Sequence, residues 1–350
     1  MISWSASRID VANYCRMRYY LRYVENETPL RLSAYAKGSL LHELIEKFWD
    51  KLGTLEGVVK KSSKKKYFDA LGFAKYAQGL WMRRVIASEN SKNPIYWKDN
   101  GEKWSIKSGL EKICIPLFSH LLNEGPPIFS ELSFNFVLRG KKFRGRIDEV
   151  RKRNGQIVIR DYKSGKPWLG EMKLNHDPQL TLYNAGLCAL CYADANIAEK
   201  LNLMNIRKEF MGNPIYVNPN FIEEFFMIEA LSVNSEKVRT VPCAVHTTTR
   251  RNEHFFELLK MIDGTQTAVA LGGIYPERGR KCDDCDMKIA CGSKLNDVGK
   301  GEFTNKEGQI YFNFAFPNYI KKSKYEIKAE EEKAKKQQIK LKLRRNLKNN

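Results

Sequence analysis

Two aspartates and a lysine near the middle of the chain have the spacing of a metal-dependent hydrolytic site. Asn154-Gly155 favours a two-residue type I′ turn between two runs of β-forming residues, so 143–163 is predicted to form a β-hairpin. The register of that hairpin places Asp148 opposite Asp161, with Lys163 on the same face. Two facing carboxylates repel each other unless a cation lies between them, and a neighbouring ammonium can orient or activate water. The alternative is a surface hairpin whose acids are solvated.

The composition indicates a polyanionic partner. The 350 residues include 60 Lys and Arg against 40 Asp and Glu, which gives a formal charge of +20. The last thirty residues contribute +8 of this, so the remainder of the chain is basic as well. Nucleic acid is the simplest partner for such a protein. No apolar run is long enough to span a bilayer and the N-terminus does not resemble a signal peptide, so we expect a soluble, cytoplasmic protein without a membrane partner.

Hydrophobic periodicity predicts helices and strands in alternation around a small sheet. No phosphate-binding loop of the G-x-x-x-x-G-K-[ST] type occurs, so no motor is encoded in this chain. The predicted helices cover 4–24, 38–50, 110–123, 177–192, 219–233 and 250–271, and the predicted strands cover 128–138, 143–151, 156–163 and 213–217.

Residues 51–110 differ in character from their surroundings. They contain a basic run at 60–68, a predicted helix with Trp81, and two further tryptophans, Trp97 and Trp104. Basic residues interleaved with aromatic residues suit single-stranded nucleic acid, because bases stack on the rings while cations contact phosphates. A solvated insertion with a few core tryptophans explains the pattern equally well. We interpret the region as an insertion in the main domain.

Three cysteines near the C-terminal end predict a metal centre. Cys282, Cys285 and Cys291 lie close together in sequence, and eight cysteines in an intracellular chain favour thiols or metal ligands over disulfides. A tetrahedral site needs a fourth ligand. On local grounds the candidates for this fourth ligand are Cys15, Cys243, His246 and His254.

Two other candidates have structural explanations. Cys188 and Cys191 lie within a predicted leucine-rich helix, where core packing is favoured over metal binding. His42 lies at the edge of the apolar stripe of its helix and becomes a ligand candidate only where that helix packs near the hairpin.

Several motifs occur in a recognisable order. They are the stretch 7–20 with Cys15, G-x-x-x-H at 38–42, Glu131, G-R-I-D at 145–148, D-Y-K-S-G at 161–165, Q-x₃-Y at 179–183, and the three distal cysteines. In this order they resemble the RecB/AddB-type branch of the PD-(D/E)XK nuclease superfamily, including its members with an iron–sulfur cluster, such as the CRISPR-associated exonucleases. That family often has proline after its first cysteine, where this chain has Arg16.

The resemblance implies an α/β fold with a restriction-endonuclease-like core, in which helices flank a central mixed β-sheet. A nuclease domain is expected over 1–300, with the basic insertion at about 51–110. A short extended segment at 301–320 and a charged basic tail at 321–350 are expected to follow. The resemblance also implies that Cys15 is the fourth cysteine ligand and that the centre is a [4Fe–4S] cluster joining the two ends of the domain; zinc is the alternative.

The resemblance further implies roles for the residues near the hairpin. The expected metal ligands for Mg²⁺ or Mn²⁺ are Asp148, Asp161, His42 and the backbone carbonyl of Tyr162. Lys163 is expected to position the attacking water, and Glu131 is a further acid that binds the metal or organises the site. Gln179 and Tyr183 are expected to contact the DNA strand.

The sequence therefore predicts a metal-dependent deoxyribonuclease. It is expected to act as an exonuclease on single-stranded DNA or DNA ends, in recombination, repair or phage DNA processing, with a helicase or recombination partner. One alternative is a non-catalytic iron–sulfur subunit that binds DNA within a helicase–nuclease complex. A weaker alternative is a zinc-stabilised RNA-processing factor.

Overall fold

A computed structural model describes residues 3–58, 69–99, 101–164, 174–204, 221–227, 244–274, 282 and 285–292. The chain divides into two compact units. One comprises residues 1–13 and 31–264, and the other comprises residues 14–30 and 265–350. The basic run at 60–68, the predicted strand at 213–217 and everything after residue 292 lie outside the described residues. No helix in the described part of the chain is long and apolar enough to cross a membrane.

The first unit is built on a six-stranded mixed sheet. The long central strand β5 pairs with β4 along one edge and with β1 and β6 along the other, while β7 and β8 extend the sheet beyond β6. The β5–β4, β5–β6 and β7–β8 pairs are antiparallel, and the β1–β5 and β6–β7 pairs are parallel. The six strands are β1 (Ser3–Trp4), β4 (Phe129–Leu138), β5 (Lys141–Arg153), β6 (Gln156–Lys163), β7 (Phe221–Met227) and β8 (Ala244–Thr248); β2 (Arg31–Leu32) and β3 (Ile95–Tyr96) form a separate pair.

The predicted hairpin is confirmed as β5 and β6. Asn154 and Gly155 have φ angles of 52° and 81°, the two positive values that a type I′ turn requires. Arg153 pairs with Gln156, as the two-residue turn predicts. The predicted mixed α/β architecture, with a central sheet flanked by helices, is confirmed as well.

Eight helices surround or precede the strands in the described residues. The predicted first helix is interrupted at Cys15, which has an extended backbone with φ −167° and ψ 122°. The prediction of one continuous helix over 4–24 is therefore wrong. The helices are α1 (Ala6–Tyr14), α2 (Arg16–Tyr23), α3 (Ser33–Val58), α4 (Ala70–Glu89), α5 (Glu102–Glu124), α6 (Pro178–Ala193), α7 (Ala195–Lys200) and α8 (Asn252–Ala270).

Helices α3, α4 and α5 share one apolar cluster with the sheet. Phe48, Phe73 and Phe118 meet at ring centroid distances of 5.5 to 5.8 Å, and Trp81 and Tyr162 are buried in the same cluster. This packing fixes α3 against β6, the strand that carries three of the predicted site residues.

The prediction of a helix over 219–233 is wrong, because residues 221–227 form the strand β7. The segment FIEEFFM contains two adjacent glutamates, and on an exposed helix both side chains would lie in solvent. In the fold both are fully buried and paired: Glu223 with Arg250 and Asn184, and Glu224 with Arg160. Their partners are distant in sequence, so local patterning gave no signal for the strand.

Helix α6 lies on the sheet through a close contact at Phe134. The phenyl ring lies against two glycines, Gly145 of β5 and Gly186 of α6, and meets the Tyr183 ring edge-on at 6.2 Å. A Cβ atom on Gly186 would lie 2.6 Å from three ring carbons of Phe134. Glycine is therefore required here by space, and the contact holds the helix that carries Gln179 and Tyr183.

Replacing Gly186 by alanine is expected to destabilise the protein by about 1–3 kcal/mol, since the added methyl group overpacks against Phe134. This sign is opposite to the usual gain of about 0.5–1 kcal/mol for Gly to Ala within a helix. Gly79→Ala in α4 is the matched control, because no atom of the described residues, apart from its own helical turn, lies within 4 Å of the added Cβ, and it is expected to stabilise. Urea unfolding measures both. Equal, stabilising effects of the two substitutions would show that the contact is absent.

Candidate functional site

Asp148 lies at the centre of a group of acids on three adjacent strands. In the β4–β5 ladder the pairs on either side of Glu131 and Asp148 place these two residues opposite each other. The last pair of the β5–β6 ladder is Glu149 with Arg160, and Asp148 and Asp161 are the next residues along these two strands. Glu131 has a φ of 52°, a left-handed conformation that costs a non-glycine residue on the order of 1–3 kcal/mol. The strand is thus distorted at the residue that faces Asp148.

His42 joins this group from α3. Its Nδ1 atom lies 3.4 Å from Asp148 Oδ2, and the same oxygen accepts a hydrogen bond of 2.8 Å from the backbone N–H of Tyr162. Ligand atoms of His42, Glu131 and Asp148 all lie within 4.8 Å of one another. One imidazole and two carboxylates form a donor set that suits Mn²⁺ or Mg²⁺. A helix that begins more than a hundred residues before the hairpin therefore contributes to the same site.

Asp161 lies beside this group in a different set of contacts. Its Oδ2 atom is 2.7 Å from the ammonium of Lys163, and its Oδ1 atom accepts a hydrogen bond of 2.5 Å from Gln179 Nε2. Lys163 also donates to Gln179 Oε1 at 2.6 Å, and Gln179 Nε2 lies 2.6 Å from the Tyr183 hydroxyl. The ligand roles of Asp161 and the Tyr162 carbonyl stay predictions. In this structure it is Glu131 that lies with His42 and Asp148.

The electrostatics of the site follow from its burial and its clustered acids. Burial lowers the pKa of His42, but the hydrogen bond and charge of Asp148, with the charges of Asp161 and Glu131, outweigh it and raise the pKa to about 9. Burial and the charge of Asp148 raise the pKa of Glu131 to about 7. Burial lowers the pKa of Lys163, but the charge of Asp161 outweighs it and raises that pKa, so the ammonium stays charged. The site is therefore arranged to hold positive charge between its acids.

Two sets of residues at the site were not identified from the sequence. The guanidinium of Arg146 lies 2.5 Å from Glu131 and is 60% exposed, so it faces both the acids and solvent. On the reverse side, the fully buried Arg160 lies between Glu149, Glu124 and Glu224, and the Tyr162 hydroxyl donates to Glu149. The only sequence signal for this network is the alternation of charges with apolar residues along two β-strands, which also describes an exposed face.

The match to known families agrees with this geometry. A family model described as the PD-(D/E)XK nuclease superfamily matches residues 3–292. The chain belongs to the PD-(D/E)XK nuclease superfamily. No curated protein matches the chain. Nucleases of this superfamily use a divalent metal ion, and His42, Glu131 and Asp148 are placed to hold one in this member.

The second unit of this PD-(D/E)XK protein contains the four predicted cluster cysteines. Cys15, Cys285 and Cys291 pack against one buried apolar cluster, and Cys282 is exposed. None of these four described cysteines is part of a disulfide. The cluster consists of Met17, Tyr20, Leu21, Ile274 and Met287.

A buried ion pair joins α2 to the cysteine-rich segment. Asp286, whose side chain is 1% exposed, lies 2.7 Å from Arg18 Nε and 2.9 Å from Arg22 Nη1. Its carbonyl also accepts a hydrogen bond from the N–H of Leu30 at 2.8 Å. These contacts hold Cys15, which precedes α2, near Cys285, which precedes Asp286.

The four cysteines are gathered in one unit, but among the described residues no three of their sulfur atoms lie within 4.8 Å of one another.

Metal affinity at the His42 site is expected to rise with pH. The metal ligand is the neutral imidazole, so binding below about pH 9 must release the His42 proton. Mn²⁺ affinity should therefore increase by about tenfold per pH unit from about 7 to about 9 and then level off. Calorimetric titration in buffers of different ionisation enthalpy measures both the affinity and the released proton.

His42→Gln is expected to weaken Mn²⁺ binding and to remove this dependence above about pH 7, where Glu131 is ionised. His176→Asn is the matched control, since His176 pairs with Glu257 on the surface and is expected to leave the dependence unchanged. A Mn²⁺ affinity that stays constant between about pH 7 and 9 in the wild type would contradict the role of His42.

Proposed function

We propose that this protein is a Mg²⁺- or Mn²⁺-dependent deoxyribonuclease that acts as an exonuclease on single-stranded DNA or DNA ends. The observation that supports the proposal most strongly is the convergence of His42, Glu131 and Asp148 beside the Asp161–Lys163 pair. These five residues lie on four different motifs of the superfamily, and the fold brings them together from α3, β4, β5 and β6. The basic composition, +20 overall, matches a polyanionic substrate.

In this proposal His42, Glu131 and Asp148 hold the metal ion, with Asp161 and the Tyr162 carbonyl available to complete its coordination. A bound divalent ion lowers the pKa of coordinated water and stabilises the charge that develops on the phosphate. Asp148 also accepts the backbone hydrogen bond of Tyr162, so its orientation is fixed before any ligand binds. The protein thus supplies a prearranged set of acceptors.

Lys163 places a positive charge next to Asp161, at 2.7 Å. It orients the attacking water and offsets the charge of the scissile phosphate. Gln179 bonds to both Lys163 and Asp161, so it fixes the direction of the ammonium, and its Nε2 atom also donates to the Tyr183 hydroxyl. In this proposal Gln179 and Tyr183 contact the DNA strand. An intact Asp161–Lys163 pair argues against the non-catalytic alternative.

Digestion of 5′- and 3′-labelled single and double strands tests the function. With Mg²⁺ or Mn²⁺ we expect stepwise release from an end of single-stranded DNA, and no cleavage with EDTA. Cleavage that starts within closed circles would replace the exonuclease proposal with an endonuclease. Binding of DNA without cleavage under any metal would favour a non-catalytic subunit of a helicase–nuclease complex.

We also propose that Cys15, Cys282, Cys285 and Cys291 hold a [4Fe–4S] cluster, as in the RecB/AddB-type members of the superfamily. The supporting observations are the gathering of the four cysteines in one unit and the buried apolar surface that three of the thiols share. Anaerobic purification is expected to yield brown protein with iron and sulfide, and Cys285→Ser should lose both. Colourless protein with stoichiometric zinc would contradict the cluster.

A helicase or recombination partner is part of the proposed function, since no motor motif is present in the chain.

A further inference from the structure

The beginning of α5 carries an exposed aromatic ring between two lysines. The Trp104 side chain is 50% exposed, and the ammonium groups of Lys103 and Lys107 lie 5.7 and 5.6 Å from its ring centroid. The two other tryptophans of this region differ, because Trp81 is fully buried and Trp97 packs against the core cluster. The aromatic and basic residues of this segment therefore separate into a core part and a surface part.

The surface part is held rigidly by the core part. The indole N–H of Trp81 donates to the carbonyl of Lys103 at 2.9 Å, and the side chain of Gln78 donates to the carbonyl of Lys107 at 3.2 Å. Both contacts tie the first turns of α5 to α4. The backbone that carries Trp104 is thus held in place, so little backbone freedom remains to be lost when a partner binds.

The same end of α5 lies near the candidate active site. Glu102, the first residue of α5, accepts a hydrogen bond of 2.7 Å from Ser33, the first residue of α3. Five residues further along α3, Gly38 approaches the end of β6 so closely that an added Cβ would lie 3.1 Å from Ser164 Oγ. The rise along α3 between these two contacts is about 8 Å. Helix α3 therefore connects the first turn of α5 to the end of β6, the strand that carries Lys163.

The charges of this surface suit a polyanion with exposed bases. Lys103 pairs with Glu89 at 3.2 Å, and this exposed pair is weak enough to exchange for a phosphate. The carboxylate of Glu102 is turned away toward Ser33 and the N–H of Lys98, where it accepts hydrogen bonds with both oxygens. The exposed Trp104 ring and the partly exposed Lys103 and Lys107 supply an aromatic face and ammonium groups, the two features that bind single strands without sequence preference.

We propose that Trp104, Lys103 and Lys107 form a stacking platform for single-stranded DNA at the beginning of α5. One base stacks on the Trp104 ring, and the two ammonium groups contact the flanking phosphates. This inference rests on the proposed function, because it specifies how the same nuclease holds its substrate. It also predicts a preference for strands with accessible bases over duplexes.

The test compares two single strands with the same phosphates. Binding of labelled oligothymidylate and of a fully abasic strand is measured by fluorescence anisotropy in EDTA, which prevents cleavage. Trp104→Ala is expected to weaken binding of oligothymidylate about 5- to 100-fold and to leave binding of the abasic strand unchanged. Trp104→Phe keeps an aromatic face and is expected to retain most of the affinity. Lys107→Gln should lower the salt dependence of binding by about 0.7 in log–log slope.

Leu122→Ala is the matched control, since Leu122 is another exposed apolar side chain on α5, 45% exposed and about 27 Å along the helix from Trp104. It is expected to bind both strands like the wild type. Equal binding of oligothymidylate by the wild type and by Trp104→Ala would overturn the platform, and so would an equal loss for both strands. Metal-dependent cleavage by the wild type is measured separately, so failure of the platform and failure of the nuclease proposal give different results.

Discussion

Replacing Asp148 by asparagine is expected to reduce metal-dependent cleavage by about a thousandfold while the protein remains folded. Asp148 is the residue on which the site converges, because its carboxylate faces Glu131, lies 3.4 Å from His42 and accepts the N–H of Tyr162. Asparagine keeps the size and the acceptor for Tyr162 but removes the charge that holds a cation. A loss of several kcal/mol of transition-state stabilisation corresponds to about three orders of magnitude in rate.

Single-turnover cleavage at saturating Mn²⁺ measures this effect. Asp263→Asn is the matched control, because Asp263 is an exposed carboxylate that pairs with Lys141. Its cleavage rate is expected to stay within about twofold of the wild type. Since Asp148→Asn removes one of several clustered negative charges, we expect the metal-free variant to unfold at the same temperature as the wild type or higher. Cleavage by the variant at the wild-type rate would show that Asp148 is not part of the catalytic centre.

Replacing Arg160 by methionine is expected to destabilise the protein by about 3–5 kcal/mol. The Arg160 side chain is fully buried, and its Nη2 atom lies 3.0 Å from the nearest carboxylate oxygen of both Glu124 and Glu224. Glu149 approaches its Nη1 atom at 3.6 Å. Methionine fills part of the volume but leaves the buried carboxylates without this cation, and uncompensated buried charge is strongly destabilising.

This substitution also tests how the site is supported. Arg160 and Glu149 are directly paired in the β5–β6 ladder, one residue from Asp161 and Asp148 respectively. Urea unfolding is expected to show the loss of stability, while Arg144→Met on the exposed surface of β5 changes the free energy of unfolding by less than about 0.5 kcal/mol. A similar small change for Arg160→Met would mean that the buried network contributes little.

The sequence predicted the features that depend on local rules. The Asn154-Gly155 turn determines the register of the hairpin, and the register determines which side chains approach Asp161. The apolar stripe of α3 was also readable, and a helix was predicted at 177–192, so His42 and Gln179 were placed on helices. Helix α3 nevertheless runs from Ser33 to Val58, well beyond the predicted 38–50 at both ends. Their arrival at the hairpin was implied by resemblance to a family and could not be derived from spacing.

The remaining features depend on contacts between distant segments. Glu131 is brought opposite Asp148 by the pairing of β4 with β5 and by a backbone distortion that no propensity reports. Strand β7 was wrongly predicted as a helix, because the burial of its two glutamates depends on partners that are distant in sequence. These partners lie on α6, on β6 and at Arg250. The division of the tryptophans into buried and exposed ones likewise required the packing of α4 on α5.

The position of a bound metal ion tests the central claim most directly. Crystals grown with Mn²⁺ and examined at its absorption edge are expected to show an anomalous peak about 2 Å from His42, Glu131 and Asp148. The same crystals of His42→Gln should show a weaker peak or none. A Mn²⁺ ion bound elsewhere in the wild type, with these three side chains uncoordinated, would contradict the account.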